Sequence, residues 1–140
     1  MMQAALPGDQ LAEAAAAMIG RPFRLYGRNP ETGLDCVGLV AASLKAIGRN
    51  PSIPRGYTLR STSIAKWQAC FERSGFDPVD GEFRSGDLLV TRPGAIQHHL
   101  MIAQTPDTVI HAHAGLRRVV RQPLAHDIIR VAHWRLAKPI

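Results

Sequence analysis

The chain has 140 residues, 46% of them hydrophobic, which suits one compact domain over residues 1–140 and leaves no room for a second. Net charge is +6, and the excess lies in residues 84–140, where eight basic side chains face three acidic ones, so that half is expected to attract anions. Aromatic residues are only 6% and no recognised motif accompanies the Arg117, Arg118 and Arg121 cluster, so nucleic acid is not expected as a partner; no run is long enough to span a membrane.

The first twenty residues contain no Lys or Arg, carry Asp9 and Glu13, and lack an uninterrupted apolar core. They do not read as a secretory leader, so the protein is expected to be cytoplasmic as synthesised. Residues 10–19 predict a helix, with Asp9 as its cap, alanine as the dominant helix former, and Gly20 followed by Pro22 as its end. RPFRLYGRNPETGLD then reads as loop. From Cys36 to Ile47 the spacing of Val37, Val40, Leu44 and Ile47 predicts a second helix, capped by Asp35 and terminated by Gly48. A third is expected over residues 62–73, capped by Thr62 or Ser63 and closed by Gly75.

The pattern then changes to short β-branched or alternating segments: SGDLLVTRPG, HHLMIAQ, TVIHAHAG, RRVVRQPL and RVAHWRLA, separated by turn residues. They predict an antiparallel meander. Helices first and strands second make the fold class α+β.

Cys36 falls on the first turn of the second helix, where free N–H groups and the positive dipole end favour thiolate over thiol. Cys70, mid-helix, reads as a core residue, and two cysteines make a weak case for a disulfide. A nucleophilic thiol needs a base. His98 and His99 point to opposite faces of their strand, while His111 and His113 share a face of the next. If those strands are neighbours, a histidine from each can stand side by side, giving a base and a group that orients it.

GLDCVGLV resembles the nucleophile motif of the NlpC/P60 superfamily, RSGDLLV is similar to its strand-leading Gly-Asp motif, and HLMIA at 99–103 is similar to its His-x-x-Ile base motif. VIHA at 109–112 resembles the segment that follows, and RPFRLYGR resembles the loop upstream of the cysteine. The resemblance spans residues 15–137. It implies a papain-like NlpC/P60 fold, N-terminal helices packed on a C-terminal antiparallel β-sheet, with Cys36 as nucleophile, His99 as base and His111 as the polar residue that holds the His99 ring. It implies no cofactor and no metal. Many family members carry a Tyr after the Pro of the upstream loop where this chain has Phe23, with Tyr26 three residues on. The backbone N–H of Cys36 is therefore the expected oxyanion donor. Phe23, Tyr26, Asp35 and His113 are the residues expected to meet substrate.

The implied activity is a cysteine endopeptidase cutting peptidoglycan stem peptides, most often between D-Glu and a diamino acid. With no leader in view, two settings stay open: recycling of wall peptides in the cytoplasm, or, slightly favoured, incorporation into a phage-tail or gene-transfer particle whose proteins would be partners. Two other readings compete: an inactive or acyl-transferring binding module on the same fold, and a zinc site built from His99, His111 and His113.

Overall fold

Proline at the first helical position, where its missing N–H costs nothing, starts α1 (Pro7–Ala16), three residues earlier than predicted. Asp9 is not its cap; it lies in the first turn, where its charge meets the helix N-terminus. Leu11, Ala12 and Ala15 form the buried stripe, and the turn after Ala16 ends on Gly20 at φ +92°. Gly8 in α1 and Gly86 before the sheet meet back to back, so closely that a methyl group on either would overlap the other's segment. The computed structural model of the chain describes residues 6–53, 65–94 and 97–138.

The stretch predicted as loop contains a small hairpin, β1 (Arg28–Asn29) and β2 (Gly33–Leu34), too short to leave a period in the sequence. It leads into α2 (Cys36–Ala46), which starts at Asp35 as predicted; Ile47 is its C-cap and Gly48 follows at φ +81°. Every residue from Cys36 to Leu44 is buried, since α2 packs against α1 on one side and the sheet on the other. Leu39 and Leu44 are each 1% exposed, and burying such a side chain contributes about 1.5–3 kcal/mol. Then α3 (Ala65–Arg73) ends before Gly75 at φ +101°; its proposed caps, Thr62 and Ser63, lie outside the described residues.

The five predicted strands form as β4 (Leu88–Gly94), β5 (Gln97–Thr105), β6 (Thr108–His113), β7 (Arg118–Pro123) and β8 (Arg130–Leu136). An extra strand, β3 (Phe76–Pro78), precedes them. The six-stranded antiparallel sheet has the order β3-β8-β4-β5-β6-β7. Only β4 to β7 form the predicted meander; β8 crosses back to pair with β4. The reason lies in the pattern of β8, where Trp134 and Leu136 complete the core with Leu88 and Val90 of β4.

One sheet face, with Leu88, Val90, Leu100, Ile102, Ile110 and Ala112, packs on the helices in the main core. The other carries a smaller cluster of Phe83, Leu89, Met101, Ala103, Val109 and Leu124. The outer edge of β7 is covered by residues 20–23: Gly20 donates to the Val119 carbonyl, Val119 to that of Arg21, and Phe23 to that of Arg117. The connection that ends α1 thereby delivers Phe23 toward the sheet.

Candidate active site

The start of α2 is held from three directions. Asp35 is fully buried; its Oδ1 accepts from Gly38 N at 2.7 Å and its Oδ2 from Tyr26 N at 2.8 Å, while Arg28 pairs with Oδ1 at 3.3 Å. Gly27 and Gly38 bring the hairpin loop into contact with the helix, and a side chain on Gly38 would collide with the Gly27 carbonyl. The Gly38 and Leu39 N–H groups are used by Asp35, and the backbone of Leu100 on β5, then of Val37 and of Cys36 itself, favours the Cys36 thiolate.

These donors do not make Cys36 a resting thiolate, contrary to the sequence expectation. Burial, with the Asp35 charge adding to it, pushes the thiol up to about 12. A helix N-terminus supplies about 0.3–2 kcal/mol, whereas a rise of that size corresponds to a cost on the order of 4 kcal/mol, so desolvation wins.

His98 and His99 do project to opposite faces. His98 is buried on the helix side, edge-on to Trp67, whereas His99 emerges on the other face. The paired register of β5 and β6 runs Thr105↔Thr108, Ala103↔Val109, Ile102↔Ile110. Continued, it would set His113 opposite His99. Yet the ring that His99 touches is His111, on the diagonal, with Nε2 of His99 2.7 Å from Nδ1 of His111. Past Ile102 and Ile110 the strands no longer pair, so direct opposition does not govern the contact. His111 Nε2 is in turn 2.7 Å from Gln122 Oε1 on β7. Burial lowers the His99 pKa to about 3, with His111 and His113 adding to the effect. Burial also lowers that of His111, against the Gln122 bond, which raises it. Both rings are therefore neutral near pH 7.

Cys36, His99, His111 and His113 line one cleft of about 350 Å³, together with Phe23, Thr91, Met101 and Ile128. The cleft thus holds both a thiol at a helix start and an imidazole with one nitrogen engaged by another ring. The NlpC/P60 family model matches residues 20–136, across helices, cleft and sheet. The chain belongs to the NlpC/P60 family.

Solved structures agree on the fold. NlpC1 from Trichomonas vaginalis superposes with a TM-score of 0.69 at 15% identity, over 96% of this chain and 47% of its own length. The NlpC/p60 domain of the peptidoglycan hydrolase SagA gives 0.65 at 22% identity, over 94% of this chain and all of that domain. The peptidoglycan hydrolase RipB from Mycobacterium tuberculosis gives 0.64 at 17%, over 94% of this chain and 65% of its own. The chain thus spans about half of the Trichomonas protein and the whole of the SagA domain. No curated protein sequence matches it.

Within this NlpC/P60 domain the other candidate residues separate. Phe23 and His113 line the cleft; Nδ1 of His113 also accepts from Leu116 N at 3.1 Å and shapes the turn after β6. Tyr26 and Asp35 are not among the lining residues. Asp35 has no exposed surface with which to meet a substrate, and the Tyr26 residue is 55% exposed at φ +60°, joined to the site through its backbone. Gln122 and the Leu100 N–H were not singled out from the sequence. A lone amide side chain in the basic RRVVRQPL segment is the one trace Gln122 leaves there. The zinc reading does not fit: both ring nitrogens of His111 are engaged by His99 and Gln122, and among the described residues no three His, Cys, Asp or Glu side chains converge on a metal position.

Proposed function

We propose that this NlpC/P60 domain is a cysteine peptidase acting on peptidoglycan stem peptides, with Cys36 as nucleophile, His99 as base and His111 as the residue that orients it. The observation that carries the reading is one cleft lined by the thiol and by two histidines bonded to each other. The kinship with the hydrolases SagA and RipB supports peptidoglycan as substrate. The D-Glu to diamino acid amide is the bond we assign.

The resting pair is thiol and neutral imidazole, so attack and proton transfer go together. As Sγ bonds the carbonyl carbon, its proton moves to Nδ1 of His99, the nitrogen not used by His111. Nε2 of His99 stays bonded to His111 Nδ1 while His99 carries positive charge. The oxyanion meets the N–H of Cys36 at the helix start. His99 then gives the proton to the leaving amine, the C–N bond breaks, and a thioester remains. Water attacks it with His99 again as base, releasing the carboxylate product and the thiol. Phe23 and His113 flank the substrate.

The experiment is mass analysis of muropeptides after incubation with the wild-type protein and with Cys36→Ala. Cleavage at the D-Glu to diamino acid bond by the wild type alone supports the reading. Transfer of the acyl group to an added amine in place of water would make the protein a transferase, and an intact digest would make it a binding module.

A further inference from the structure

We propose that Gln122 is a positioning residue that selects the tautomer of His111 and, through it, decides which nitrogen of His99 is left to take the Cys36 proton. The inference rests on the peptidase reading of the cleft. Gln122 lies opposite Val109, and His111 opposite Val120, so the two are diagonal neighbours on the same sheet face. A side chain as long as Gln spans that diagonal, and its Oε1 comes within 2.7 Å of His111 Nε2.

A neutral imidazole carries one ring proton, and His111 therefore has two arrangements open to it. With the proton on Nε2, His111 donates to Gln122 Oε1 and presents the Nδ1 lone pair to His99. Nε2 of His99 must then be the donor in the 2.7 Å bond, and Nδ1 of His99 holds a lone pair. With the proton on Nδ1, His111 donates to His99 instead. The His99 proton is forced onto Nδ1, and the nitrogen needed by the thiol is blocked. Unlike an amide or carboxylate, an imidazole in the orienting position does not fix the direction of its own bond. An acceptor on its far side supplies that direction, and Gln122 is that acceptor.

The test compares the wild type, Gln122→Leu and Gln122→Glu in two readouts that need no peptide substrate. Long-range nitrogen–proton correlation spectra of labelled protein separate the Nε2–H and Nδ1–H forms, and six histidines are few enough to assign. Iodoacetamide labelling at pH 7 reports how readily Cys36 loses its proton. The wild type and Gln122→Glu should show His111 as Nε2–H. Gln122→Leu should show mixed tautomers and a Cys36 labelling rate lower by roughly tenfold, restored to within about twofold of wild type in Gln122→Glu. Equal melting temperatures of the leucine and glutamate variants would separate this loss from unfolding. An unchanged His111 tautomer in Gln122→Leu overturns the proposal. If instead wild-type Cys36 labels no faster than Cys70, the peptidase reading fails, and the spectra still decide the role of Gln122.

Discussion

Two imidazole networks project from the same face of the sheet. Only one of them opens on the cleft that Cys36 lines. At the Ala103 end, His133 Nε2 lies 2.6 Å from Asp87 Oδ2, while Arg135 donates to both Asp87 oxygens at 2.9 Å and Arg84 N bonds Oδ2. Phe83 packs edge-on to His133, and Arg130 lies over Phe83. At the His99 end the chain of partners is uncharged, His99 to His111 to Gln122, and opens on the cleft. A histidine bonded to a carboxylate is often taken as the mark of a catalytic base. Here neither member of that pair is among the residues lining the cleft, whereas His99, which lines it with Cys36, has a neutral partner. What separates them is which ring lines the cleft that also holds the Cys36 thiol.

The sharpest way to break this contrast is to remove one histidine from each network. His99→Ala should lower kcat/KM on the order of a thousandfold, as the loss of a general base does, and Cys36→Ala should abolish turnover. His133→Ala, measured per folded molecule, should stay within about twofold of wild type because it touches no reacting atom. Comparable losses from His99 and His133 in a peptide-release assay would mean that the sheet face works as one unit.

The charged network should matter to stability instead. Asp87 is fully buried and accepts four bonds, so Asp87→Ala takes a partner from His133 and the Arg84 N–H, while Arg135 keeps the Glu82 carbonyl and solvent. Losing hydrogen bonds to a charged group costs about 1.5–3 kcal/mol. A urea titration of Asp87→Ala with an unchanged midpoint would show that the cluster is solvated and energetically idle.

Acid should find the neutral network. The His99 pKa is about 3 in the folded chain, against an ordinary value of 6.5. Between those values the unfolded chain binds the proton and the folded one does not. Stability therefore rises with pH across that window and is level above it. Going from pH 7 to 5 should remove up to about 2 kcal/mol through His99, and His99→Asn should lack that part of the slope. Denaturant midpoints of the two proteins at pH 5 and 7 check this; equal slopes would place a charged His99 in the folded state.

The sequence carried most of the architecture because the elements have strong local causes. Asp35 caps α2 as its side chain requires, and the turn residues between the last five strands fall where the chain reverses. The pairing of β8 with β4 was not legible, since nothing local says that Trp134 belongs beside Leu88. The same holds at the site. Alternation placed His99 and the His111/His113 pair on usable faces, but the burial that holds Cys36 as a thiol and the bond to Gln122 arise from segments distant in sequence. Motif resemblance marked the Gly-Asp of RSGDLLV without revealing that Asp87 anchors a four-bond cluster.

The smallest effect expected is the difference between the two histidines of β6. Register alone favours His113 as the partner of His99, and the observed bond favours His111. The rings of His111 and His113 are 5.4 Å apart, so each feels the other, but only His111 has both nitrogens tied into the chain from His99 to Gln122. His111→Ala removes the group that directs the His99 proton and should lower kcat about tenfold with KM little changed. His113 lines the cleft, and its Nδ1 serves the turn at Leu116. Its contact with a bound peptide is the same in ground and transition states, so His113→Ala should raise KM about threefold and leave kcat within about twofold. Steady-state kinetics on one defined stem peptide separates the two. If His113→Ala lowers kcat while His111→Ala changes only KM, the strands close to the extrapolated register when substrate binds, and the diagonal contact belongs to the empty cleft alone.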